Sequence, residues 1–255
     1  MEYKNLEDFI ARAGHMNDGI WYPRVTSIIS IKSKPALYRY YASMPSWFHA
    51  ERIKNKSAEE GTLIHEAVQS AMVGEEYDNH TENTLAAVLA YKQFNDQLNL
   101  ISEKNKIEYK IVNQQEKYAG TIDAIVTIGD KTGVLDIKTS PSVYRDYNLQ
   151  TAAYMESARK DFPEVSTRWI LLINTNQTCE LCGSNRRIKG GKETLSLNTK
   201  NDYSINCLHK WSALKGNVLL KELKDFEMDY EAFLGAKKLW EWEYAGYLKK
   251  IGYKQ

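Results

Sequence analysis

Gly120-Thr121-Ile122-Asp123-Ala124-Ile125-Val126-Thr127-Ile128, then Gly129-Asp130-Lys131, then Val134-Leu135-Asp136-Ile137-Lys138, is the stretch on which the fold turns. The first run predicts a strand, with Ile122, Ala124, Val126 and Ile128 on one face. Gly129-Asp130-Lys131 is a turn signal, so the second run is its hairpin partner. Side chains at i and i+2 of a strand share a face, so Val134, Asp136 and Lys138 point together. Antiparallel pairing brings Asp123 close to Asp136. A carboxylate inside an apolar strand costs free energy unless something pairs with it. A divalent cation shared by two carboxylates answers that cost; a position at a strand end facing water answers it equally.

Upstream, Ile107 to Val112 predicts an earlier strand. Ile64, Ala67, Val68, Ala71 and Met72 fall at the spacing of an amphipathic helix beginning near Glu59, with Gly74 where a C′ glycine would sit. A second helix is expected over 83–100, with Leu85, Val88, Leu89 and Phe94 among its apolar positions. Downstream, Tyr147 to Lys160 predicts a helix ended by Phe162-Pro163, and the short branched run Arg168 to Asn174 a fourth strand. The expected order is helix, three strands, helix, strand. The aromatics of the first 57 residues, among them Trp21, Tyr22, Tyr38, Tyr40, Tyr41, Trp47 and Phe48, are expected on short helices packed on the core.

The chain has 255 residues and three cysteines, and its net charge is +1. Whole-molecule attraction to polyanions is excluded, so any nucleic-acid contact must use local positive charge. No apolar run approaches the ~18–20 residues needed to span a membrane. The first residues include acidic side chains and no apolar signal region, so a protein of a reducing, cytoplasmic compartment is expected.

Acid-x-Lys in a strand is common as a solvated pair. Here it also has a chemical use: the carboxylate can hold a hard cation through oxygen, and the ammonium can orient water or stabilise charge on a phosphate. His65, at the edge of the helical stripe, is a metal ligand if its helix docks beside the strand carboxylates and a structural histidine otherwise. Glu108 opens the first strand and could bind metal or activate water. Gln150 and Tyr154 lie at i, i+4 on one helix face, within reach of a phosphate or a base.

The series Gly61-x3-His65, Glu108, Gly120-x2-Asp123, Asp136-x-Lys138, Gln150-x3-Tyr154 resembles the RecB-like exonuclease branch of the PD-(D/E)XK nuclease superfamily. It resembles particularly the mitochondrial genome-maintenance exonucleases and their phage and bacterial relatives. Tyr22-Pro23-Arg24-Val25-Thr26-Ser27-Ile28-Ile29 is similar to the segment before their core, and the resemblance covers about residues 20–175. The resemblance implies an α/β (α+β) fold with an αβββαβ core, a mixed central sheet flanked by helices, and helical additions at both ends. One nuclease domain over 1–255 is expected, with an N-terminal helical cap (1–57), a catalytic core (58–175), a basic cysteine-containing insertion or hairpin (176–224) and a C-terminal helix (225–255). His65, Asp123, Asp136 and the carbonyl of Ile137 would bind Mg²⁺ or Mn²⁺. Lys138 would position or activate water, Glu108 would be a second acid, and Gln150 and Tyr154 would place the substrate strand. Ile122 stands where the family's namesake Pro would be. The implied activity is metal-dependent hydrolysis of DNA, on single strands or ends, in replication, repair or recombination. The chain would then be bacterial or phage-encoded and could work with replication or recombination proteins. A structure-specific endonuclease and a non-catalytic DNA-binding accessory protein are the alternatives.

One further cluster stands outside that series. Cys179-x-x-Cys182-Gly183 has the form of a metal knuckle, and Cys207-x-His209 follows 24 residues later. Four N/S ligands suit tetrahedral zinc; C-x-H is short for a second knuckle, and free thiols are the competing reading. The surrounding stretch, 181–224, carries nine basic residues against three acidic ones, so Arg186, Arg187, Lys189 and Lys192 could form a loop or hairpin that grips phosphates.

Overall fold

The computed structural model describes residues 3–254. Helix α1 (Leu6–Ala13) starts where the Asn5 side chain accepts from the Asp8 backbone N–H. It leads into a small antiparallel hairpin, β1 (Gly14–Asn17) and β2 (Ile20–Pro23), and then into helices α2 (Val25–Ile29) and α3 (Pro35–Ala42). The expectation of helices alone in this region therefore needs correction. Trp21 and Tyr22 are buried on β2, while Trp47 and Phe48 stay exposed at the start of the next helix. Aromatic residues suit strands as well as helices, so their abundance did not decide the element.

Helix α4 (Trp47–Met72) begins twelve residues before the amphipathic signal at Glu59. Ile64, Ala67 and Val68 are buried, as the stripe requires. The Gly74 N–H donates to the Ala71 carbonyl and the Glu75 N–H to that of Ser70, the paired bonds of a Schellman end. Helix α5 (Glu82–Leu98) opens with a reciprocal Thr81–Thr84 cap. Its buried face is Thr84, Ala87 and Tyr91; Leu85 and Leu89 are exposed, against expectation, while Val88 and Phe94 pack on the core.

Strands β3 (Ile101–Asn113), β4 (Tyr118–Ile128) and β5 (Lys131–Lys138) form an antiparallel meander, and Gly129-Asp130 closes the turn between β4 and β5. Helix α6 (Asp146–Ala158) then crosses to β6 (Val165–Thr178), which lies parallel to β5, as a crossover connection demands. From the end of β6 a hairpin projects, β7 (Asn185–Lys189) and β8 (Lys192–Ser196). Strand β9 (Lys215–Glu222) returns antiparallel to β6. It belongs to the central sheet, although basic composition had set it with the cysteine-containing stretch. Only Val218 and Leu220 turn inward from it, too few to announce a strand. Helices α7 (Phe226–Glu243) and α8 (Ala245–Lys250) complete the chain.

The result is a mixed central sheet with helices on both faces. One core joins the sheet to α2, α6 and α7 through residues such as Ile122, Ile125, Val134, Met155, Phe233 and Trp240. The other joins it to α4 and α5 through Ala124, Val126, Leu135, Ile137 and Tyr91. Ile122 and Ala124 thus pack into different cores. The alternation expected along β4 loses a step at Asp123, and because both faces of the sheet are covered, the apolar pattern could not reveal it. Between β6 and α7 the guanidinium of Arg168 pairs with Asp229, both fully buried. Among the described residues no helix is long and apolar enough to cross a membrane.

Candidate functional site

Strands β4 and β5 stay paired as far as Ala124 and Leu135 and then part. Across the notch so formed, the Asp123 carboxylate accepts from the Ile137 backbone N–H at 2.6 Å. N–H and C=O of one strand residue point to the same side. The Ile137 carbonyl therefore faces the notch as well.

Helix α4 brings His65 to this point. Its Nε2 lies 2.8 Å from Asp123 Oδ2, and its Nδ1 lies 4.0 Å from Glu108 Oε1. One ligand atom from each of His65, Glu108 and Asp123 falls within 4.8 Å of the others. Glu108 sits on β3 between the pairs Ile107–Ala124 and Tyr109–Ile122, with a left-handed φ of 51°. That conformation costs a residue with a Cβ about 1–2 kcal/mol. Gln69 offsets part of it by donating to Glu108 Oε1 at 2.6 Å and to the Asp123 carbonyl at 3.1 Å. Sequence reasoning missed Gln69. Its signal was available: it follows His65 by four residues and so shares its helix face.

Asp136 lies outside that group of three. It is 1% exposed, and its Oδ1 accepts from Lys138 Nζ at 2.8 Å and Gln150 Nε2 at 2.9 Å. Its Oδ2 is 2.7 Å from the same ammonium and has no other partner. Gln150 also donates to the Tyr154 hydroxyl at 3.2 Å. Gln150 and Tyr154, expected to place substrate, are instead buried behind Asp136 and hold it from α6. The helix face chosen from sequence turns inward because α6 packs flat on the sheet.

Charges in the notch are strongly coupled. Burial disfavours ionisation of Asp136 and pushes its carboxyl up to about 6, against the pull of Lys138. Burial acts the same way on Asp123, but the hydrogen bond and charge of His65, the Lys138 ammonium and the Ile137 N–H together outweigh it and hold Asp123 below the usual range. Burial opposes charge on His65, yet Asp123 raises it above an ordinary imidazole. Lys138 is likewise raised, because Asp136 and Asp123 overcome its desolvation. The shift favours the charged ammonium, a cation and hydrogen-bond donor. The Tyr147 ring lies 5.1 Å from its Nζ.

His65, Asp123, Ile137 and Lys138 line one open cleft of about 340 Å³. It continues into a groove of about 830 Å³ that shares Ser57, Ala58, Lys138 and Thr139. Lys34, just before α3, and Lys54 of α4 line this groove, as do Arg187, Lys189 and Lys192 from the β7–β8 hairpin. Arg187 and Lys189 both donate to the Thr139 carbonyl, at 2.8 and 2.7 Å. Burial and the neighbouring Arg187 lower the Lys189 ammonium to about 8. Gly190, at the hairpin tip with φ 61°, donates its N–H to Glu60 at 2.8 Å. A Cβ at this position would sit 2.3 Å from the Ile53 carbonyl oxygen on α4. Arg186 turns away from the groove, bonds Gln177 and stacks over Trp211 at 4.7 Å.

At the foot of that hairpin the three cysteines and His209 converge. Cys179 Sγ is 3.8 Å from Cys207 Sγ, and Cys182 Sγ is 3.4 Å from His209 Nδ1. All four ligand atoms lie within 4.8 Å of one another. In comparison with known proteins, no family model and no curated protein matches this chain, so the geometry of its sites carries the functional reading.

Proposed function

We propose that the protein is a Mg²⁺- or Mn²⁺-dependent deoxyribonuclease of the PD-(D/E)XK, RecB-like type, acting as an exonuclease on single-stranded DNA or DNA ends. The observation that carries this reading is one cleft lined by an imidazole, a carboxylate, the Ile137 backbone and an ammonium from three separate elements. The order helix, three antiparallel strands, helix, parallel strand supports the αβββαβ assignment. The basic groove leading to the cleft suits a polyanionic strand.

The residues fit a hard cation. Two ligands on adjacent octahedral positions about 2.1 Å from one ion are ~3.0 Å apart, and His65 Nε2 and Asp123 Oδ2 are 2.8 Å apart. The same spacing also makes a hydrogen bond, so a second observation matters: the buried Asp136 Oδ2 has no partner but the ammonium. His65, Asp123, Asp136 and the Ile137 carbonyl would hold the ion, which supplies charge to the phosphate and acidifies water. Lys138, held protonated, orients the attacking water and balances charge on the scissile phosphate. Gln150 fixes Asp136, backed by Tyr154, and Gln69 fixes Glu108.

End-labelled linear DNA and covalently closed circles, each with Mg²⁺ or EDTA, test the proposal. Mg²⁺-dependent loss of linear DNA with circles intact is the expected result. Cut circles would make the enzyme an endonuclease, and binding without cleavage would make it an accessory protein. Equal cleavage by Lys138→Ala would remove the assigned chemistry.

A further inference from the structure

We infer that Cys179, Cys182, Cys207 and His209 form a zinc site whose task is to anchor the basic β7–β8 hairpin over the groove. Two thiolates ~2.3 Å from a tetrahedral zinc are ~3.8 Å apart, and a thiolate and an imidazole nitrogen ~3.5 Å. The observed separations are 3.8 and 3.4 Å. The first half is built as a knuckle. The Gly183 N–H donates to the Cys179 carbonyl at 2.9 Å, and Gly183 turns the chain at φ 76°, where a Cβ would be strained.

The short C-x-H half is explained by its backbone. Cys207 is extended, so residues 207 and 209 share a face and Leu208 points away, 88% exposed. Antiparallel bonds fix this segment against the knuckle: Glu180 N–H to the Lys210 carbonyl and Ser212 N–H to that of Thr178.

Energetics point the same way. Between β6 and β9 the only apolar cluster among the described residues is the three cysteines with Trp211 packed on them. Ile188, Leu195, Leu197 and Ile205 are all exposed. A lobe with so small a core needs a cross-link or a metal to hold its shape. The ligand atoms enclose room for one ion, which excludes a cluster with its own sulfides. Trp211 then relays the anchor: its ring contacts His209 at 4.7 Å and carries Arg186 of β7. The zinc assignment stands apart from the nuclease proposal; only the purpose of the hairpin rests on it.

The test uses the full chain with any affinity tag removed. Metal analysis should find one zinc per chain, retained by His65→Ala and lost by the double variant Cys179→Ser/Cys182→Ser. His209→Cys, which replaces the imidazole ligand by a thiolate, should keep the zinc even if the double variant misfolds. Cobalt substitution of the native protein should give thiolate charge-transfer and tetrahedral ligand-field bands. Chelation should speed amide exchange over 185–196 at least tenfold and leave β3–β6 unchanged. Zinc retained by the double variant, iron in its place, or a Cys179–Cys207 disulfide in zinc-free native protein would each overturn the assignment. Loss of nuclease activity with zinc intact would instead count against the nuclease proposal alone.

Discussion

The two ligand clusters are built in opposite ways. His65, Asp123 and Asp136 stand on elements already fixed by two apolar cores, so that site is held by the fold. The cysteine cluster stands in a lobe with almost no apolar core, so there the ligands must hold the fold. The difference predicts that removing the proposed catalytic cation should cost activity and little structure, while removing the proposed zinc should cost local structure first.

Four changes break or sharpen that contrast. Lys138→Ala should slow cleavage about 10²–10⁴-fold, the range for a group that manages a proton or a developing charge, with zinc content unchanged. Arg168→Ala removes the buried partner of Asp229 and leaves its carboxylate only Asn148 at 2.9 Å and the exposed Arg145 at 3.8 Å. Breaking such a pair should cost about 3–5 kcal/mol in denaturant titration, and zinc bound to the lobe should not restore it. Gly190→Ala forces a Cβ into left-handed backbone and against the Ile53 carbonyl. It should weaken binding of single-stranded DNA about tenfold, or ~1.4 kcal/mol, while zinc stays at full stoichiometry, which would separate hairpin docking from hairpin anchoring. The smallest effect belongs to Lys189, lowered to about 8. It is charged below that pH and neutral above it, so the salt slope of DNA binding should fall by about 0.7–0.9 as pH rises through 8. Lys189→Arg, which cannot lose its proton, should abolish the change.

Much of this was legible in the sequence, and the failures have physical causes. The β4–β5 hairpin was readable because its turn chemistry and branched residues agree. The step lost at Asp123 was not, since a strand buried on both faces is apolar in either phase. Leu85 and Leu89 misled because Ala87 and Tyr91 take the buried face of α5. His65, Asp123 and Asp136 were found as residue types in strands and a helix. That Gln150 and Tyr154 serve Asp136 from behind depended on how α6 lies on the sheet, which no local pattern encodes. Strand β9 hid in a basic segment because an edge strand with one covered face needs few apolar residues.

His65 and Lys138 face the carboxylates of Asp123, Asp136 and Glu108 around the notch between β4 and β5. A divalent ion bound there takes a neutral imidazole nitrogen, so the His65 nitrogen that faces Asp123 would release any proton it carries. Cation uptake would then also be acid release. Calorimetric titration with Mg²⁺ in two buffers of different ionisation enthalpy should give different apparent heats near neutral pH, and the difference should vanish in His65→Gln.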